Sequence, residues 1–284
     1  MPVRPILAVA ASLVLAATAA VTATAATAAT AGTTSRPARS VPVTSLLPVR
    51  YVALGDSYSA GTGAGRYTAA GRSCERSTSA FPPLWASRHH PASFVSVACA
   101  GATTATVRAS QLSALSARTT LVSITVGGND VGFTHVMETC VLELTGSCQK
   151  AVASAESSIK KTLPAQLDQT LQAIHARAPL ARIVVLGYPD LYDLAQSPDC
   201  IGIGTAKRTA LNQGAGALDQ VLSAAAARNG DKYVDVRSEF AGHEICDGGA
   251  SYLNALIYPV DSSYHPNASG QKDAYLPAFT AAEP

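Results

Sequence analysis

The run Tyr51-Val52-Ala53-Leu54-Gly55-Asp56-Ser57-Tyr58-Ser59-Ala60-Gly61 sets a serine between an apolar strand and small residues able to start a helix. A strand that breaks sharply into a helix brings the turn to the carboxyl edge of a sheet, where ligands bind in open α/β folds. A serine there exposes its hydroxyl and holds its N–H near a helix N-terminus, which favours negative charge. That position suits a nucleophile whose reaction builds an oxyanion. Taken alone, Gly-Asp-Ser is also an ordinary turn. Other stretches raise the chemical reading. Gly101 and Gly127-Gly128-Asn129-Asp130 each follow a strand, and Asp261-Ser262-Ser263-Tyr264-His265-Pro266-Asn267 precedes the last helix. In a parallel sheet the first two share an edge with Ser57, and the third supplies a histidine on a loop able to return there.

The elements that must position these residues alternate. Apolar, β-branched runs predict strands at 50–54, 93–98, 120–126, 181–186 and 232–236. Helices are expected at 81–90, 104–115, 151–178 with a break near Pro164, 205–228 capped by Gly230, and from Pro266 through Thr280. Segments near 60–80, 131–148, 189–204 and 241–264 are expected as loops around the active edge. Five strand–helix alternations without repeats predict a three-layer α/β/α fold with a five-stranded parallel sheet. Gly61-Thr62-Gly63-Ala64-Gly65 fits neither the phosphate-loop nor the dinucleotide pattern.

Charged residues make up 14% of the 284, and the formal net charge is +2. With no basic patch, nucleic acid is not expected as a partner. Arg4, the apolar run Ile6 to Leu15 and Ala-x-Ala sites ending at Ala31 predict a signal peptide over 1–31, too short in its apolar core for a membrane anchor. Residues 32–48 read as a Pro- and Ser/Thr-rich linker and 49–284 as one domain. The chain is therefore expected to be secreted, without stable membrane insertion. Its six cysteines are Cys74, Cys99, Cys140, Cys148, Cys200 and Cys246, an even number that in an exported chain predicts three disulfides. No Cys-x-x-Cys pair supports zinc. The pairing is open from spacing alone, with Cys140–Cys148 closing the shortest loop.

Gly55-Asp56-Ser57-Tyr58-Ser59, Gly101, Gly128-Asn129-Asp130 and His265-Pro266, in that order, resemble the four blocks of the SGNH hydrolases, also called GDSL esterases and lipases. The resemblance spans about residues 50–280. It is nearest to the secreted members of filamentous soil bacteria. It implies a flavodoxin-like sheet order and a serine ester hydrolase acting on acyl esters or lipids without metal or cofactor. Ser57 would be the nucleophile and His265 the general base and acid. The N–H groups of Ser57 and Gly101 and the Asn129 amide would form the oxyanion hole. Bridges between successive cysteines would give Cys74–Cys99, Cys140–Cys148 and Cys200–Cys246. One position departs from the family: the aspartate expected three residues before the histidine is Ser262, with Asp261 one residue further away. A backbone carbonyl of Ser262 or Ser263 is favoured over Asp261 to orient His265, because Nδ1–H needs only an acceptor. Carbohydrate or small-acyl deacetylase and phospholipase activities are alternatives on the same scaffold, and a secreted binding domain is the non-enzymatic one. A monomer is expected.

Overall fold

The computed structural model describes residues 47–142, 147–195, 200 and 203–283. The leader and nearly all of the linker expected from the sequence lie outside them. Five strands form one parallel sheet: β1 (Arg50–Gly55), β2 (Ser93–Ser96), β3 (Leu121–Thr125), β4 (Arg182–Leu186) and β5 (Lys232–Val234). Their order is β2-β1-β3-β4-β5, so the winding direction reverses between β1 and β3. Such a reversal opens a crevice at the carboxyl ends of the strands. β1 and β3 pair in register from Tyr51 with Leu121 to Gly55 with Thr125. They end level, and the chains leaving them emerge side by side.

The helices follow in order as α1 (Ser57–Ala60), α2 (Phe81–His89), α3 (Thr104–Thr106), α4 (Phe133–Leu142), α5 (Ser147–Lys161), α6 (Leu163–Arg177), α7 (Thr205–Asn229), α8 (Arg237–Phe240) and α9 (Leu276–Ala282). α3 runs on through a π turn (Val107–Gln111) and a 3-10 turn (Leu112–Ala114). A second π turn (Gly270–Tyr275) leads into α9. α2 and α9 pack together on one face of the sheet, and α3, α6 and α7 on the other. Burial on both sides explains why β1 and β3 are apolar without alternation. On the α2–α9 face Tyr51 packs against Trp85, Phe94 and Phe279 at ring distances of 5.1–5.5 Å.

The expected interruption near Pro164 is a full break. α5 stops at Lys161 and α6 restarts at Leu163, with Pro164 in a first turn where a missing N–H is harmless. The segment 131–148 corrects the sequence reading. It is not a loop: most of its described part is α4 and the start of α5. Phe133, Val136, Met137, Cys140 and Val141 recur at helical spacing and turn inward together. Disulfides join Cys74 to Cys99, Cys140 to Cys148 and Cys200 to Cys246. The second of these ties α4 to α5.

Candidate active site

Gly55 ends β1 with φ of 121°, and a Cβ there would stand 2.4 Å from the Thr125 carbonyl oxygen. Only glycine fits. The Gln111 side chain docks on its peptide groups, accepting from Gly55 N at 2.7 Å and donating to Gly55 O at 2.8 Å. Asp56 then caps α1, accepting from Tyr58 N at 3.0 Å. It also accepts from Thr125 Oγ1 at 2.6 Å and from the Tyr188 hydroxyl. Burial raises its pKa to about 6, against the pull of those three donors. With its acceptor capacity spent on the turn, Asp56 braces the segment that presents Ser57.

The loop carrying His265 folds back to the same edge. Ser57 Oγ lies 2.8 Å from His265 Nε2, and Nδ1 lies 2.9 Å from the Ser263 carbonyl oxygen. A carbonyl only accepts, so Nδ1 carries the proton and Nε2 presents its lone pair to the Ser57 hydroxyl. The residue between Ser263 and His265 turns the chain so that the imidazole meets the Ser263 carbonyl. Tyr264 does so with φ of 61°, left-handed backbone that is uncommon outside glycine. Its N–H donates to Asn254 O at 2.9 Å, and its carbonyl accepts from the Tyr58 hydroxyl at 2.7 Å. Asn254 Nδ2 donates to the carbonyls of Gly63 and Ser262, both at 3.1 Å. Of the two candidate carbonyls, that of Ser262 is thus engaged by Asn254 and that of Ser263 faces the imidazole. The Asp261 side chain is exposed, and among the described residues no hydrogen bond joins its carboxylate to His265. Burial lowers the His265 pKa to about 4, opposed by the Ser263 and Asp261 backbone and the Asp261 charge. The ring is neutral at pH 7.

Ser57 N–H opens α1 and has no intrahelical acceptor. Among the described residues neither it nor the Gly101 N–H donates to another protein group. Gly101 has φ of 76°, and a Cβ on it would meet nothing within 4 Å. Backbone conformation, not crowding by the protein, demands glycine there. The Asn129 amide donates to Ala102 O at 3.1 Å, leaving its second hydrogen available. Asp130 accepts from Thr104 N at 2.9 Å and from Thr104 Oγ1 at 2.6 Å, which locks the Gly101 and Asn129 loops together. From the other side, Ala100 N donates to Cys74 O at 3.1 Å beside the Cys74–Cys99 bridge.

Ser57, Gly101, Asn129 and His265 line one cavity of about 670 Å³. Such a volume lies within the range of pockets for small organic ligands. Val136 and Met137 of α4, Val152 and Ile159 of α5, and Leu211 and Leu218 of α7 supply an apolar wall. Among the described residues no cluster of three or more His, Cys, Asp or Glu side chains could hold a metal ion. Sequence reasoning overlooked Gln111, Asn254 and Tyr188, which tie to Gly55, Gly63 and Asp56 across 56, 191 and 132 residues and left no local signal. The α4 wall did leave one, in its helical spacing.

Residues 53–272 match the GDSL-like lipase/acylhydrolase family. The chain belongs to this family. It is 47% identical over 232 residues to a lipase of Streptomyces rimosus, covering 82% of this chain and 86% of that protein. Lipase 1 of Streptomyces coelicolor gives the same identity and coverage. The fold matches the crystal structure of the extracellular lipase of Streptomyces rimosus with a TM-score of 0.80, over 82% of this chain and 99% of that one. It matches phospholipase A1 from Streptomyces albidoflavus NA297 equally well, with a TM-score of 0.80, at 44% identity over 83% of this chain and 99% of that one. As a GDSL family member the chain is a carboxylic ester hydrolase, and its parallel α/β fold is that of the family's lipases. Among the described residues no helix is long and apolar enough to cross a membrane.

Proposed function

We propose that Ser57 and His265 hydrolyse lipid acyl esters, with the acyl chain in the cavity between α4, α5 and α7. Ser57 Oγ attacks the ester carbonyl carbon while Nε2 of His265 takes the hydroxyl proton. The N–H groups of Ser57 and Gly101 and the free hydrogen of the Asn129 amide hold the oxyanion. Collapse expels the alcohol, which leaves with the proton from Nε2, and Ser57 stays acylated. Water then gives a proton to Nε2, attacks the acyl carbon, and frees the acid as Ser57 regains its proton. Through both halves Nδ1–H stays on the Ser263 carbonyl, which fixes the tautomer. A carbonyl dipole steadies the transient imidazolium less than a carboxylate would.

The observation that carries this reading is the 2.8 Å contact between Ser57 Oγ and His265 Nε2 on the wall of a largely apolar cavity. An apolar lining of this extent favours an acyl chain longer than acetyl. Phospholipids are a second substrate class, favoured by the 44% identity to a phospholipase A1. Three disulfides and an extracellular relative support export of the chain, with residues 1–31 as its leader. The proposed mechanism needs no residue beyond Ser57, Gly101, Asn129, Ser263 and His265 of a single chain, and a monomer is the proposed acting form. The test is initial rates on p-nitrophenyl esters from acetyl to palmitoyl, wild type beside Ser57→Ala. The expected result is a rate that vanishes in the variant and peaks well beyond acetyl. A maximum at acetyl would replace the lipid reading with a small-acyl one.

A further inference from the structure

Half of the exposed large apolar side chains among the described residues fall in one short stretch, Leu256 to Val260. Leu256 is 53% exposed, Ile257 40%, Tyr258 93% and Val260 61%. Single exposed apolar residues need no explanation, but a contiguous group does. This group is held outward by a hydrogen-bonded frame. Ile257 N donates to Ser263 Oγ at 3.0 Å, and Ser263 Oγ donates to Ile257 O at 3.2 Å. Ser262 N and Ser263 N close on the carbonyls of Pro259 and Val260.

Its place is at the cavity mouth. Leu256, Ile257 and Val260 line the cavity that holds Ser57 while remaining exposed, so apolar side chains belong to both the cavity and the solvent-facing surface. The charged side chains of that lining are Arg72, Glu75, Glu138, Asp261 and the buried Asp56, four acidic against one basic. An anionic surface would be repelled there, whereas an electroneutral apolar one meets no penalty. Tyr258 carries a ring and a hydroxyl, and such side chains favour the boundary between lipid and water.

We propose that Leu256 to Val260 is a docking loop that seats the cavity mouth on an electroneutral lipid surface. Its frame shares Ser263 with His265, so the seated loop and the imidazole are held by one residue. The proposal rests on the lipid-ester reading above, and its test separates the two. Binding is measured by co-sedimentation of Ser57→Ala protein with phosphatidylcholine vesicles, which then stay intact. Adding Tyr258→Ser should weaken the partition about tenfold, the scale of burying one large side chain. Tyr258→Trp should keep it. Tyr258 does not line the cavity, so Tyr258→Ser alone should turn over soluble p-nitrophenyl butyrate within about twofold of wild type, tenfold being the shift expected at the vesicle. Equal sedimentation with and without Tyr258→Ser would overturn the proposal. So would binding that requires anionic phosphatidylglycerol, or a parallel loss on the soluble ester. Butyrate hydrolysis surviving in Ser57→Ala would sink the proposed mechanism while leaving the binding result in place.

Discussion

The two sides of the cavity are built by opposite means. On the sheet edge the turns that carry Ser57 and His265 are held by named hydrogen bonds, from Gln111 on Gly55 to Tyr58 on the Tyr264 carbonyl. On the α4–α5–α7 side the lining is mostly apolar, with Val136, Met137, Val141, Val152, Ile159, Leu211 and Leu218 outnumbering Thr134 and Glu138. Gly214 shows the contrast best. Glycine inside a helix is destabilising by about 1 kcal/mol relative to alanine. At Gly214, within α7 and on the cavity wall, a Cβ would meet nothing within 4 Å. No packing demands glycine there, yet its absence of side chain keeps the cavity wide. The polar edge is defined by hydrogen-bonded position, and the apolar wall by what it leaves out.

That contrast predicts different kinds of damage. Ser57→Ala should lower kcat by about 10⁴-fold or more on every ester, because the acyl-enzyme route is lost. Asn129→Ala should lower kcat by about 10²–10³-fold with KM little changed, as expected for a donor used mainly in the transition state. A uniform rise in KM would instead place Asn129 in ground-state binding. Gly214→Leu should leave butyrate turnover near wild type and lower kcat/KM on palmitate by about 10–100-fold, the scale on which an apolar pocket discriminates. Equal losses on both esters would erase the division between edge and wall. The smallest effect is expected at Asp261, where Asp261→Ala should change kcat/KM by less than about threefold, since screened surface charges contribute little. The proposed mechanism needs neutral His265, so kcat/KM should rise with pH through the His265 pKa and then level. Burial lowers that pKa, which places the acid limb near pH 4 instead of the usual histidine range. A limb near pH 6.5 that moves in Asp261→Ala would hand the orienting role to the carboxylate.

The strands were legible because buried parallel strands are written as continuous apolar runs, and all five lie within a few residues of expectation. The order of Ser57, Gly101, Asn129 and His265 was legible because each stands at a break after a strand or before a helix. α4 was not, although Phe133, Val136, Met137, Cys140 and Val141 keep its period. Its Thr, His, Val and Cys residues are weak helix formers, and glycines precede it. The choice between Ser262 and Ser263 could not be read at all. It goes with the sign of φ at Tyr264, a residue held by Asn254 ten positions upstream and by Tyr58 from a distant part of the chain.

The acceptor facing His265 Nδ1 belongs to a peptide unit, and every amino acid carries one. A single codon change can delete an orienting carboxylate, but no missense change at codon 263 can delete its carbonyl. The heritable constraint moves to codon 264, where the residue must tolerate a left-handed torsion. There Asn and Gly are admissible to the backbone, and Val and Ile are not. Such a site is guarded against point mutation at one position by becoming a question of shape at the next.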